Sequence, residues 1–408
     1  MDLSGLLEKL KGLFTPSFLI SSVTPLFCFI LFNGAILGQY NHTVRKWVSD
    51  YYLSSSASKA VSGAILSIVL LVIAYVFSTL NLFLLEILQG KHLPKWLEYS
   101  LRTGENARLD ALTEQWQNAR QLRRQLGPNA DTWRRELQVA RDQGSKLSEC
   151  NYGVDNNVYK SVEGLVQLRN AGAAIQADVL RDCITRLANV LETNSANLAN
   201  NPDSIRLDRH HLLLFRLIGY AVGKAEDEYL RRFNDKEFNF SRYTVAPTRI
   251  GNAAESVRGY ALSRYGMNLD FFWPRLQKAV QARSDFYKTL QDAKTQLDFT
   301  VSLFWLTVAS IALWIVLLPF LSRTWLPLIS VGLIGPALAF MWYRMAAQNY
   351  RSFGDLLRSC IDLFRLELLT DLKVPFPQDS QVEVQLWDRV NRWISYGEGN
   401  IFVAYKTD

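Results

Sequence analysis

Histidine and cysteine are scarce in this chain, with four of each in 408 residues. The cysteines (Cys28, Cys150, Cys183 and Cys360) are widely scattered and form no CxxC pair, which argues against a disulfide framework and a thiolate zinc site. His210 and His211 are adjacent, so on a helix they point roughly 100° apart. No Glu or Cys stands at ligand spacing beside them, and His42 and His92 merely flank apolar runs. There is no GxSxG elbow, HExxH, GxGxxG or P-loop, so the chain offers no catalytic residue, metal site or cofactor site. The reading is therefore not an enzyme. The apolar runs also lack Asp, Glu, Lys and Arg at mid-depth, which speaks against proton- or substrate-coupled transport.

Long apolar runs are what the chain does have. Four meet the length of a bilayer span: Phe18–Gly38, Val61–Leu88, Thr300–Leu321 and Leu326–Tyr343. The first lacks the basic start and cleavage site of a signal peptide. Net charge is +7 with an isoelectric point near 9.1. Basic residues retained on one side of a membrane account for this, and no direct nucleic-acid binding is expected. Near the span ends, Lys9, Lys11, Lys91, Lys95, Arg102, Arg108, Arg283, Lys288, Lys294, Arg344, Arg351 and Arg358 fall on one side. Arg45, Lys46, Lys59 and Arg323 fall on the other. That bias puts both termini and the central region in the cytoplasm, with Trp47, Trp96, Trp325 and Trp342 at the interfaces. The expected fold is an all-α membrane protein with spans grouped 2+2. A large helical cytoplasmic domain lies between spans two and three, and a helical cytoplasmic region follows span four.

Residues 1–17 read as an amphipathic lead-in and 18–88 as the first span pair with a polar outer loop over Gln39–Ala60. Within that loop Asn41-His42-Thr43 matches a glycosylation sequon. Asn33 and Asn81 each need a partner in hydrocarbon, so they are either interhelical hydrogen-bonding groups or pore-facing ones. Glu86 either snorkels or joins a carboxylate ring at a pore mouth. The domain over 89–270 is helical. One helix carries Leu109, Leu112, Trp116, Ala119, Leu122 and Leu126, and Gly127-Pro128 should stop it. Others carry Trp133, Leu137 and Ala140, and then Leu180, Ile184, Leu187 and Leu191. The run His211–Gly223 includes Arg216 and is too short to span, so it reads as a core helix.

Residues 271–369 read as one long helical hairpin containing the spans 300–321 and 326–343. Asp270 is the expected N-cap of the rising arm, whose apolar seam runs Phe272, Leu276, Ala279, Phe286, Leu290, Ala293 and Leu297. Arg283 is the odd cation in it, pairing within the domain (with Asp355 or Glu367) or facing another subunit. No helix breaker lies between Pro274 and Pro319, so the arm should run unbroken into the membrane. A turn at Ser322–Trp325 leads to a falling arm with the seam Tyr350, Gly354, Leu357, Ile361, Phe364 and Leu368. The two seams should pack on each other. In 370–408, Ser380 and Glu383 suggest a capping box for a last helix, followed by an extended tail at Ile401–Tyr405.

Arg242, Arg249, Arg258, Arg264 and Arg275, with Asn252, crowd the segment between the central domain and the hairpin. They either bind an anionic ligand at a helix N-terminus or pair with Glu226, Asp227, Glu228, Asp235 and Glu237 upstream. The stretch Pro247-Thr248-Arg249-Ile250-Gly251-Asn252, with Ala253-Ala254-Glu255, Arg264-Tyr265-Gly266 and Trp273-Pro274-Arg275-Leu276, resembles a segment shared by uncharacterised bacterial multi-pass membrane proteins. Phe353-Gly354-Asp355-Leu356, Asp362-Leu363 and Pro375-Phe376-Pro377 are similar to theirs as well. The resemblance implies a bacterial cytoplasmic membrane and brings no activity with it. Two functions fit. One is an oligomeric pore or membrane effector gated by a ligand or partner, by architectural analogy with four-pass effectors of stress and antiphage defence. Its activator would be a cytoplasmic protein or a small anion. The other is a non-conducting anchor that docks a cytoplasmic partner.

Overall fold

In chain order the helices are α1 (Pro16–Tyr40), α2 (His42–Leu53), α3 (Ser56–Gln89), α4 (Lys95–Gly144), α5 (Asn156–Asn170) and α6 (Ala177–Thr193). They continue as α7 (Pro202–Asn239), α8 (Arg249–Tyr265), α9 (Leu269–Gln281), α10 (Ser284–Leu321), α11 (Leu326–Asp371) and α12 (Ser380–Tyr396). This is a computed structural model, and it describes residues 15–53, 55–144, 156–171, 175–193, 202–321 and 326–396. Every element among the described residues is helical. Four helices are long and apolar enough to cross a membrane: α1, α3, α10 and α11. The lead-in over 2–13, the turn at Ser322–Trp325 and the tail at Ile401–Tyr405 lie outside the described residues, as do the side chains of His210 and His211.

The chain divides into two units, Met1–Asn106 with Phe238–Asp408, and Ala107–Glu237. The second is a helical bundle. Leu126, Ala130, Trp133 and Leu137 of α4 meet Val162 and Leu165 of α5, Leu180 and Ile184 of α6, and Leu214, Leu217 and Ile218 of α7. In this unit α4 passes straight through Gly127-Pro128, where a stop was expected. Its apolar stripe keeps helical spacing across the proline, and Pro128 itself is exposed. The carbonyl that loses its donor there can be met by water, so packing outweighs the proline.

In the other unit the two seams meet in one core. Leu276, Ala279 and Leu290 are buried with Leu357, Ile361, Phe364 and Leu368. The rings of Phe286 and Phe364 lie edge to face at 5.4 Å. The rising arm, however, is not one helix. It breaks at Ala282–Arg283, between α9 and α10. The Arg283 N–H donates to the Val280 carbonyl at 2.9 Å, closing a tight last turn, and the Arg283 carbonyl accepts from Tyr287 as the new helix begins. Ser284 and Asp285 explain the break, because short polar side chains and a first-turn carboxylate favour a helix start over a helix interior. The falling arm, α11, is a single helix of 46 residues.

Three further starts differ from expectation. Asn268, not Asp270, caps α9, its side chain accepting from the Asp270 N–H at 3.1 Å. Asp379, not Ser380, caps α12, receiving the Gln381 and Val382 N–H groups at 2.8 Å each. The expected outer loop is largely the helix α2, because Asn41 accepts from Thr43 and Val44 and so caps it. Within α1, a π turn over Leu19–Val23 precedes Pro25, which has no N–H to give the Ser21 carbonyl.

Candidate functional site

The first unit is organised around α8, which is built from small residues and buried along most of its length. It packs against α3, α9, α11 and α12. Thr248 caps it, accepting from the Gly251 N–H at 3.0 Å, and donates its own hydroxyl to the Leu88 carbonyl at 2.7 Å. The last turn of the spanning helix α3 is thereby tied to the first turn of α8. The fit is close enough to require glycine on both sides. Gly90 ends α3 at φ +90°, and a Cβ there would lie 2.3 Å from the Pro247 ring. A Cβ on Gly251 would lie 2.2 Å from the Gln89 carbonyl oxygen. Asn252 is fully buried; its carbonyl accepts from the Ala246 N–H at 2.7 Å and its amide donates to Glu105 at 3.0 Å. The Arg249 N–H donates to the Tyr343 hydroxyl at 3.2 Å, adding α11 to the joint.

The distinctive segment thus gathers helix ends, and its arginines are engaged within the protein. Arg258 pairs with Glu255 at 2.6 Å and Asp270 at 3.0 Å. Burial works against its charge, but the two carboxylates outweigh that and hold the guanidinium above its usual range. Arg264 donates to the Tyr260 hydroxyl at 3.1 Å and lies over its ring. Arg275 reaches the Phe271 carbonyl, Arg242 also has partners, and Arg249 lies 3.8 Å from Glu105. Two of the acidic residues named upstream pair elsewhere: Glu226 with Arg123, and Glu228 with Arg231 and Arg232.

Two further arginines, Arg358 and Arg365 of α11, are the more deeply set. Arg358 is 6% exposed, bonds Asp355 and the Ser256 hydroxyl at 2.7 Å each, and lies 4.4 Å from the Phe238 ring centre. Arg365 bonds Glu383 at 2.7 Å and stacks over Tyr265 at 4.1 Å. Tyr260 and Tyr265 both donate to the Asp362 carboxylate, the latter at 2.6 Å. Burial, reinforced by the Asp362 charge, pushes both phenols up, so neither is a base or nucleophile near neutral pH. Spacing could not reveal the contacts of Arg358 with Ser256 and of Tyr260 and Tyr265 with Asp362, which join residues about one hundred positions apart in the chain.

The polar residues of the four long apolar helices divide into partnered and unpartnered ones. Asn33 of α1 is 5% exposed and ties α1 to α10. Its amide donates to Phe29 O and Ser310 Oγ, and its carbonyl accepts from Trp314 Nε1 at 2.7 Å. Asn81 is buried, with its carbonyl oxygen lacking a protein partner among the described residues, as does the Ser302 hydroxyl. Glu86 bonds Lys91 at 3.0 Å and His92 at 3.4 Å at the end of α3. Arg283 is exposed at the break and lies 3.3 Å from Glu367.

Three cavities adjoin these elements, the smallest, of about 300 Å³, lying between Gln89, Gly90, Pro247 and Gly251. Of the two larger, one, of about 560 Å³, is an apolar cleft between α1, α10 and α11. The other, of about 630 Å³, lies at the joint between Leu88, Leu101, Glu105, Arg249, Trp305 and Tyr343. In the 107–237 unit a further cavity, of about 510 Å³, is lined by Arg120, Arg123, Arg124 and Tyr229. Among the described residues no three of His, Cys, Asp and Glu gather as a metal-ligand set. A scan against protein-family models, a search of curated proteins and a search of solved structures each returned no match.

Proposed function

We propose that this chain is a four-pass protein of a bacterial cytoplasmic membrane, with both termini cytoplasmic, that acts as a non-conducting anchor presenting the 107–237 unit to a cytoplasmic partner. The observation that supports anchoring over conduction is the disposition of polar groups in the spans. Asn33 is satisfied between helices and Glu86 is held at a span end, while the outward faces of the spans are apolar. Ile65, Ile68 and Val72 of α3, Val316 of α10 and Leu333 of α11 are each more than half exposed. A hydrated pore needs a polar stripe facing its lumen, and these faces suit lipid instead. The charge bias at the span ends supports the orientation, and the bacterial setting is part of the proposal.

A gated, oligomeric pore or defence effector is the second reading. It is favoured by α11, whose unbroken length joins the spanning stretch to the buried seam. Ion-selective dye release from proteoliposomes separates the two. An anchor gives no flux at any protein density, and Asn33→Leu weakens folding without opening a path. Flux that scales with protein density and changes with Asn33 or Asn81 substitution would overturn the anchor reading. Reporter fusions in the 39–60 and 145–155 segments test the orientation directly.

A further inference from the structure

The cavity at the joint brings two charged groups, Arg249 and Glu105, to an apolar wall. Its lining is largely apolar, with Leu88, Leu101, Phe304, Val308 and Phe340, and it also holds a few polar groups. Among these are a cation and an anion together, the Arg249 guanidinium and the Glu105 carboxylate, 3.8 Å apart. Both are partly open, at 35% and 13% of the side chain. The Trp305 indole donates to Leu84 O and the Tyr343 hydroxyl accepts from the Arg249 N–H, which fixes both rings at the ends of the apolar helices, the place interfacial aromatics favour. An anionic lipid would meet Arg249 but also confront Glu105. A choline headgroup carries no N–H to donate to the carboxylate. An ethanolamine headgroup carries a phosphate for the one and a primary ammonium for the other.

We propose that this cavity binds a zwitterionic aminophospholipid, its phosphate against Arg249, its ammonium against Glu105 and one acyl chain along Phe304, Val308 and Phe340. The proposal rests on the reading that α10 and α11 span a bilayer, and the experiment separates the two. The full-length protein is placed in nanodiscs holding equal fractions of phosphatidylethanolamine, phosphatidylglycerol or phosphatidylcholine with brominated acyl chains. Bromine quenches nearby tryptophan, and the Trp305 contribution is the difference from Trp305→Phe. Quenching of the remaining tryptophans with every headgroup reports insertion; if it is absent, the spanning reading fails first.

With insertion shown, the ethanolamine lipid should quench Trp305 at about tenfold lower mole fraction than the other two, the ratio given by one charge-assisted bond. Glu105→Gln should abolish the preference over phosphatidylglycerol, and Arg249→Gln should weaken all headgroups. Native mass spectrometry of the unsubstituted protein gives a second readout, in which ethanolamine lipid should survive detergent exchange in preference to the others. Headgroup-independent quenching, a preference unmoved by Glu105→Gln, or quenching unweakened by Arg249→Gln would overturn the proposal.

Discussion

Replacing Gly251 with alanine tests whether the contact between α3 and α8 is as close as described. The added Cβ would sit 2.2 Å from the Gln89 carbonyl oxygen, 2.8 Å from Ala246 Cβ and 3.0 Å from Thr248 Oγ1. Reaching ordinary van der Waals separation needs roughly 1 Å of movement between two helix backbones. Movement of that size breaks the 2.7 Å bond from Thr248 to Leu88 O and loosens the cluster of Leu88, Ile250, Leu297 and Val301. Alanine favours a helix over glycine by about 0.5–1 kcal/mol, which offsets part of the damage. Overpacking costs about 1–3 kcal/mol and the lost hydrogen bond about 1 kcal/mol. The net expectation is about 2–3 kcal/mol of local destabilisation. The chain has two units, so a single melting temperature is a poor reporter. Amide hydrogen exchange in nanodiscs is the better assay, and the 249–262 amides should exchange roughly 30- to 150-fold faster. The control is Gly104→Ala, whose Cβ meets nothing within 4 Å. It should slow exchange slightly. If Gly251→Ala behaves as Gly104→Ala does, the joint is not the tight contact argued above.

Other outcomes follow from the same geometry. Glu383 is buried against Arg365 and Trp387, so Glu383→Leu should destabilise the α11–α12 contact by about 3 kcal/mol, seen as faster exchange in 380–396, whereas Glu383→Gln should cost less. Arg283→Leu removes only an exposed pair, so exchange in 269–300 should change by about 0.5 kcal/mol or less. A larger effect would mean that Arg283 engages a second copy. Tyr265 keeps its proton more tightly when folded than when unfolded, so its contribution is fully present below about pH 10 and is lost as pH rises past that value. Exchange across α8 measured from pH 9 to 11 should steepen, and Tyr265→Phe should flatten the rise. Burial pushes the Cys183 thiol up, so a polar thiol reagent at pH 7 should label it only after the 107–237 unit is denatured.

The four long apolar helices were legible because length and composition alone mark them. Both seams were legible because a 3.5-residue repeat leaves little freedom about which side is buried. The break at Arg283 was visible only as an anomaly. A cation in a core slot reads as a polar position in a continuous helix, although Ser284-Asp285 beside it is a helix-start signal. The proline at 128 misled in the opposite direction, since a stripe that keeps its spacing on both sides can hold a helix through one missing hydrogen bond. The arginines near α8 were found as a crowd, but their partners were not. Arg358 meets Ser256, and Tyr265 meets Asp362, only when α8 lies along α11. Asp379 outcompeted Ser380 because a carboxylate one residue earlier reaches two N–H groups and frees Glu383 to meet Arg365.

The two arms of the hairpin should differ in how they tolerate a change of chain length. At 1.5 Å per residue, α11 runs about 69 Å as a single rod. One residue inserted near its middle would turn one end against the other by roughly 100°. Either the seam on α9 and α10 or the packing between spans would then face the wrong way. A residue added at Ala282–Arg283 enters a turn already free of helical register, and both flanking helices keep their faces. Fusions, spacers and length variants therefore belong at that break, and α11 should resist them throughout.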